Sequence, residues 1–289
     1  MISEHSEQQI VPILVGGGTR LCAHIGVLEA IRKLGLNYSH LVGVSGGSIV
    51  ASLYASGFSL DQIYRLAMQT DFSQFRGFSL WQLVKHGGLS SGDHFERWMD
   101  HQLQHKTFAE LDFPLHIVAT DVQSGEPVVM DAENTPGLNV ARAVRFSMSI
   151  PLVFSVKEFQ QHLMVDGCIL GEDALFRDWS GEGSPAISFR LRSEQKKREK
   201  EVKSLLPLKD YVMLLIRAFM TALSREYINA KYWHHTVVVN TGSLSAVDFT
   251  MDQEKKDALY KLGYQTVLEH LPPKLSIPDD VSKLQQTQA

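Results

Sequence analysis

The chain has 289 residues, 44% of them hydrophobic and 21% charged, with a formal net charge of -4. That is enough apolar material for one large α/β domain or two small ones, and the mildly acidic balance gives no support to nucleic acid as the main ligand. Cys22 and Cys168 form no disulfide framework, Met1 to Gln9 lacks a signal peptide's apolar core, and no apolar run approaches the ~18 residues of a membrane span.

Val11 to Val15 (VPILV) reads as a short buried strand, broken by Gly16-Gly17-Gly18. Cys22 to Leu34 then reads as a helix closed by Gly35. Leu41 to Val44 is a second strand, running into Ser45-Gly46-Gly47, and Ser48 to Ser56 has helical composition up to Gly57. Strand, glycine turn, helix, twice over, is the pattern of parallel βαβ units. Ser59 with Gln62, Ser79 with Gln82 and Thr107 with Glu110 have capping-box spacing. Leu115 to Thr120 is a strand, and Ser124-Gly125 turns the chain back through Pro127 to Met130. Asn139 caps a short helix ending near Ser147, and Leu163 to Val165 is a strand ending at Asp166-Gly167. Ala186 to Leu191 and Thr236 to Val239 read as further strands. Glu194 to Lys203 is charge-dense and reads as a solvated loop or helix face. Leu208 to Tyr227 is helical and rich in large apolar residues, a core or dimer face in the plainer reading and a membrane-facing or lid helix in the sharper one. Met251 to Leu271 is a final helix that Pro272-Pro273 ends. Residues 1–271 are expected to form one domain, and 272–289 a mobile tail.

Three short strings carry chemistry. Gly43-Val44-Ser45-Gly46-Gly47 fits G-x-S-x-G between a predicted strand and a predicted helix. Such a turn holds a serine Oγ exposed at a helix N-terminus, where free N–H groups concentrate positive potential. Gly16-Gly17-Gly18-Thr19-Arg20 allows backbone N–H groups to turn inward as an anion nest. That nest suits the oxyanion of a tetrahedral intermediate, or a phosphate loop at the same place, although Leu21 breaks G-x-G-x-x-G and no G-K-[ST] follows. Asp166-Gly167 ends a strand; alone, Asp-Gly is a common turn.

In this order the three strings resemble the patatin-like phospholipase family. Ala23-His24-Ile25-Gly26-Val27-Leu28, Val118-Ala119-Thr120-Asp121 with Gly125-Glu126, and Ser147-Met148-Ser149-Ile150-Pro151 with Phe154 extend the likeness, from about Val11 to Leu191 and more loosely to Leu271. The resemblance implies a patatin-type acyl hydrolase fold: α/β, a largely parallel central sheet with helices on both faces. It implies a lipid acyl hydrolase, phospholipase A or lysophospholipase-like, with Ser45 as nucleophile, Asp166 as its base and the N–H groups of Gly17, Gly18 and Thr19 as oxyanion hole. Arg20 matches the family's basic loop position, with a structural and a phosphate-directed role left open. No metal or organic cofactor is implied. The expected partners are a phospholipid or other lipid ester, transiently a membrane surface, and a second copy of the chain if it forms a homo-oligomer; the expected location is the cytoplasm, at times peripheral to the membrane.

The chain departs from the family pattern at Leu21, usually glycine, at Cys168, usually glycine or alanine, and at Gly171-Glu172-Asp173, which lacks an Asn-x-Pro. None of these removes a reacting group. Among the histidines, His24 is expected in the core, His162 toward solvent, and His234-His235 in a structural role. An acyltransferase or thioesterase using the same serine, or an inactive binding relative, is the alternative reading.

Overall fold

The computed structural model describes residues 9–75, 87–169, 174–193 and 230–275, with single positions at 79, 81, 85, 211, 214–216 and 218. The Ser79–Gln82 pairing, the charge-dense stretch from Glu194, the 171–173 departure, the tail after Leu275 and most of the Leu208–Tyr227 segment lie outside them.

Strand β1 (Val11–Val15) lies in the middle of the sheet, between β2 (Leu41–Val44) and β9 (Ala186–Arg192), and is parallel to both. Beyond β9 lies β10 (Thr236–Asn240); beyond β2 lies β4 (Leu115–Asp121); both contacts are parallel. The sheet turns antiparallel at its other end. There β4 pairs with β5 (Pro127–Met130) and with β8 (His162–Val165), and β8 pairs with β7 (Lys157–Phe159). A separate ribbon joins β3 (Gly88–Ser90) to β6 (Leu152–Phe154). The architecture is therefore a mixed, mostly parallel sheet with helices around it.

The unbroken apolar run of β1 follows from burial on both faces. Leu14 packs into the larger core with helices α1 (Cys22–Lys33), α2 (Gly46–Ala55), α3 (Leu60–Gln69), α4 (Asp93–Gln102), α5 (Val140–Ser147) and α6 (Gln253–Leu275). Val11, Ile13 and Val15 point the other way, to a smaller core with Val42, Val44, Leu175 and Trp179. Helices α1 and α6 touch backbone to backbone: a Cβ on Gly26 would lie 2.0 Å from Tyr260 O, and one on Gly263 2.0 Å from Ala23 O.

The capping boxes Ser59–Gln62 and Thr107–Glu110 are both formed, and Asn139 accepts the N–H of Arg142 at the start of α5. Two boundaries differ from the sequence reading. Helix α2 begins at Gly46 rather than Ser48, because the turn after β2 is so tight that helical backbone starts directly after Ser45. Helix α6 runs through Pro272-Pro273 to Leu275. Proline's φ suits a helix, but each ring removes a donor and crowds the carbonyl four residues back, so the cost falls on the last turn alone; Lys274 Nζ bonds Trp233 O at 2.6 Å and ties down this turn. The strands β3, β6 and β7, of three residues each, are not legible in the sequence, whereas five-residue β10 is.

Candidate active site

Loops at the carboxyl ends of β1 and β2 lie side by side, because the strands are parallel neighbours. The first is the glycine loop; the second is the turn that carries Ser45. Ser45 has φ 54 and ψ -130, a left-handed conformation that costs a non-glycine residue energy. Ser147 helps to hold it there: its Oγ accepts the Ser45 N–H at 2.8 Å and donates to Val118 O at 2.6 Å. The following glycines are set by close approach. A Cβ on Gly47 would stand 2.1 Å from Leu14 O, and one on Gly46 2.5 Å from Gly18 N.

Asp166 reaches the same place from β8, across β4. Its backbone is fixed by Asp166 N–H to Ser149 O (3.0 Å) and by Thr120 Oγ1–H to Asp166 O (3.1 Å). The fully buried Arg145 sets Ser149 in turn, donating to its Oγ at 2.7 Å. Ser45 Oγ donates to Asp166 Oδ2 at 2.7 Å, and Asp166 Oδ1 accepts the Cys168 N–H at 2.8 Å. Both side chains are buried. Burial pushes the Asp166 carboxyl up to about 6, against the opposing pull of the Ser45 and Cys168 hydrogen bonds. A carboxylate held near neutrality accepts a proton far more readily than an exposed one.

The histidines bond elsewhere. His162 Nδ1 lies 3.2 Å from Asp121 Oδ2, His116 Nδ1 3.0 Å from Asp131 Oδ2, and buried His24 Nε2 3.0 Å from Gly16 O. His234 and His235 stand in the turn Ala230–His235, just before β10. Among the described residues, no group of three or more His, Cys, Asp or Glu is placed to hold a metal ion.

The glycine loop corrects one expectation. The N–H of Thr19, read from the sequence as an oxyanion donor, donates to Ala246 O at 2.9 Å, and its hydroxyl lies 3.2 Å from the same oxygen. It is committed to a protein acceptor. Among the described residues the N–H groups of Gly17, Gly18 and Gly46 have no such acceptor. The N–H of Gly46, which directly follows the serine, is thus available beside it; the sequence reading did not name it, although its place in G-x-S-x-G marks it. Arg20 is fully buried, so its guanidinium faces protein, not solvent: it donates to Gly17 O at 3.2 Å and to Thr241 Oγ1 at 2.6 Å. Cys168 places its sulfur against Gly16, where a Cβ would lie 3.4 Å away.

Beside this loop lies an apolar cavity of about 50 Å³. Gly18, Thr19 and Ala246 border it. It follows α2 past Ile49 and Leu53, which lie ~6 and ~12 Å along the helix from Ser45. Ile63, Leu66 and Ala67 of α3 form one wall, and Phe72, Phe75, Phe95 and Trp98 an aromatic one. Phe72 is held by Lys256, whose Nζ lies 4.1 Å from the ring centre and bonds Ala67 O and Thr70 O at the end of α3.

The family model described as patatin-like phospholipase matches residues 13–173, a span that contains the glycine loop, Ser45 and Asp166. Protein YqhO of Bacillus subtilis (strain 168) is 27% identical over 275 residues, covering 87% of this chain and 94% of that protein. Protein R571 of Acanthamoeba polyphaga mimivirus is 25% identical over 291 residues, covering 92% and 95%. The crystal structure of VipD from Legionella pneumophila superposes with a TM-score of 0.66 at 14% identity, covering 93% of this chain and 67% of that one. That likeness shows the shared fold, and the family match over more than half the chain shows the kinship: this chain belongs to the patatin-like phospholipase family.

Proposed function

We propose that the chain hydrolyses lipid acyl esters through an acyl-enzyme on Ser45, with Asp166 as the only side-chain base. The observation that carries this reading is the buried 2.7 Å hydrogen bond from Ser45 Oγ to Asp166 Oδ2, beside a cavity lined by apolar side chains. Ser45 Oγ attacks the ester carbonyl and its proton passes to Asp166 Oδ2. The carbonyl oxygen becomes the oxyanion, facing the N–H groups of Gly17, Gly18 and Gly46. When the carbonyl re-forms, the bond to the alcohol breaks and the alcohol leaves with the proton from Asp166. Water then repeats the sequence: Asp166 takes its proton, hydroxide adds to the acyl carbon, and Ser45 Oγ leaves reprotonated.

The test is covalent. A long-chain alkyl fluorophosphonate should phosphonylate Ser45, read by peptide mass analysis, and the untreated chain should release fatty acid from phospholipid or lysophospholipid. A folded chain left unlabelled at Ser45 would overturn the reading.

A transient membrane contact belongs to the same proposal. Among the described residues no helix is long and apolar enough to cross a membrane. Yet Trp81, Leu152, Tyr211, Leu214 and Leu215 are exposed large apolar side chains, Trp81 by 73%. Leu152 also carries φ 67, a conformation rare for leucine. Leu152 and Leu215 adjoin, along the chain, members of one small apolar cluster that contains Ile216, Ile150 and Phe154, and the last two also line the cavity. Exposed apolar side chains next to residues that line the cavity suit a lipid surface. The chain should co-sediment with phosphatidylcholine vesicles, and Leu214→Asp with Leu215→Asp should weaken that several-fold. If the unmodified chain stays in the supernatant, this face meets protein instead.

A further inference from the structure

The N–H groups of Gly17 and Gly18 belong to peptides whose carbonyls are gripped from behind. In a trans peptide the C=O and the following N–H point in opposite directions, so holding one aims the other; all described peptides are trans. The carbonyl paired with the Gly17 N–H is Gly16 C=O, which faces His24 Nε2 at 3.0 Å. A carbonyl only accepts, so the His24 proton sits on Nε2, while buried Nδ1 has no partner. The carbonyl paired with the Gly18 N–H is Gly17 C=O. It accepts twice, from the Arg20 backbone N–H at 2.9 Å and from Arg20 Nε at 3.2 Å.

Arg20 is anchored in its turn. Its Nη1 donates to Thr241 Oγ1 at 2.6 Å, and that hydroxyl donates to Arg192 O, at the end of β9, at 3.0 Å. The next peptide is fixed by Ala246, whose oxygen takes the Thr19 N–H at 2.9 Å. Thr241 and Ala246 both stand outside the span matched by the family model.

We infer that His24 and the Arg20–Thr241 pair are positioning residues of the oxyanion hole, aiming the Gly17 and Gly18 N–H groups at the carbonyl oxygen of an ester bound on Ser45. The inference rests on the reading of Ser45 as nucleophile. Neither side chain touches substrate; each acts through a backbone carbonyl. The loop after β10 is then part of the catalytic apparatus although it contributes no reacting group. A neutral His24 fits this role, and burial keeps it neutral by holding its pKa down at about 4.

The variants are chosen to keep shape, because truncating buried Arg20 invites misfolding. Thr241→Val removes the hydroxyl alone, and His24→Phe the ring N–H. Each should lower kcat on a p-nitrophenyl octanoate ester by up to about a hundredfold, the scale of one oxyanion donor, with KM little changed. Thr241→Ser and His24→Gln, which restore a hydroxyl and an N–H, should recover most of the loss. An alkyl trifluoromethyl ketone, whose serine adduct carries an oxyanion, should lose affinity in step with kcat. A packing role would instead move KM and thermal stability, without separating Ser from Val or Gln from Phe. Wild-type kcat in folded Thr241→Val and His24→Phe, or no rescue by the conservative pair, overturns the inference alone. A native chain that the fluorophosphonate does not label at Ser45 overturns this inference and the catalytic reading together.

Discussion

Asp166→Asn is expected to lose nearly all ester hydrolysis, by at least ~10³-fold in kcat/KM, while the fold becomes more stable. The asparagine keeps the size of the carboxylate, and its oxygen accepts one hydrogen bond, but it takes no proton from Ser45. Ser45→Ala should be equally severe, and the double variant scarcely worse, because the two groups act as one unit. In the unmodified chain, kcat/KM should rise with pH through a single ionisation near about 6, since only the carboxylate form accepts a proton. Stability should move the other way. The buried carboxyl binds its proton up to about 6, whereas its ordinary value is 3.8, so between these values the folded state holds more protons than the unfolded one. Stability therefore falls as pH rises across that window, by roughly 3 kcal/mol in all at neutral pH. Asparagine escapes that cost, and its melting temperature at pH 7 should exceed the wild type's by a few degrees. Thermal melts beside kinetics check both halves. Activity retained in folded Asp166→Asn, or a melting point well below wild type at pH 7, would contradict the assignment of Asp166 as a buried base.

The second large effect is expected at Gly18. Its φ is 52, and a Cβ would meet Ala246 O at 2.1 Å, a distance no side-chain adjustment relieves because the obstacle is backbone. Gly18→Ala must push the loop off the Ala246 carbonyl or rotate the Gly17–Gly18 peptide. Either change misplaces the Gly18 N–H, and kcat should fall ~10²-fold or more. On the proposed reading the acyl chain lies against side chains farther along α2 and α3, so KM should change less. Assays well below the melting temperature separate this from simple destabilisation. An unaltered kcat would show that the Gly18 N–H does not face the reacting oxygen.

The sequence made the sheet centre legible for a plain reason. β1 and β2 are buried on both faces, so both are free of polar side chains, and β1 runs into Gly16 and β2 into Ser45-Gly46-Gly47. The two capping boxes and the Asn139 cap were readable because they are local, with donor and acceptor within three residues. The strings holding Ser45, Asp166 and the glycine loop stood out for similar reasons of spacing. What could not be read was partnership over distance. Whether the Thr19 N–H faces substrate or Ala246 is decided by a loop 227 positions away, and nothing in Gly16 to Arg20 encodes it. Ser147 as the support of the Ser45 backbone is another such case, at a separation of 102. The strands β3, β6 and β7, of three residues each, are too short for alternation to show.

The contact of α1 with α6 has a consequence for the order in which the molecule assembles. Gly26 and Gly263 lie at opposite ends of the sequence, yet each permits the other helix's backbone to approach. The same early segment meets the chain's later part again at Thr241 and Ala246. Closing loops of that length costs entropy before any contact rewards it, so these pairings form late during folding. Apart from the Ser147 hydroxyl that supports its backbone, the turn that bears Ser45 is built from β1, β2 and α2, which are near neighbours along the chain and can form early. A nascent or partly unfolded chain therefore presents its serine before the loop opposite is braced. On the proposed reading, hydrolytic competence then arrives with the last long-range closure rather than with the first folded βαβ unit.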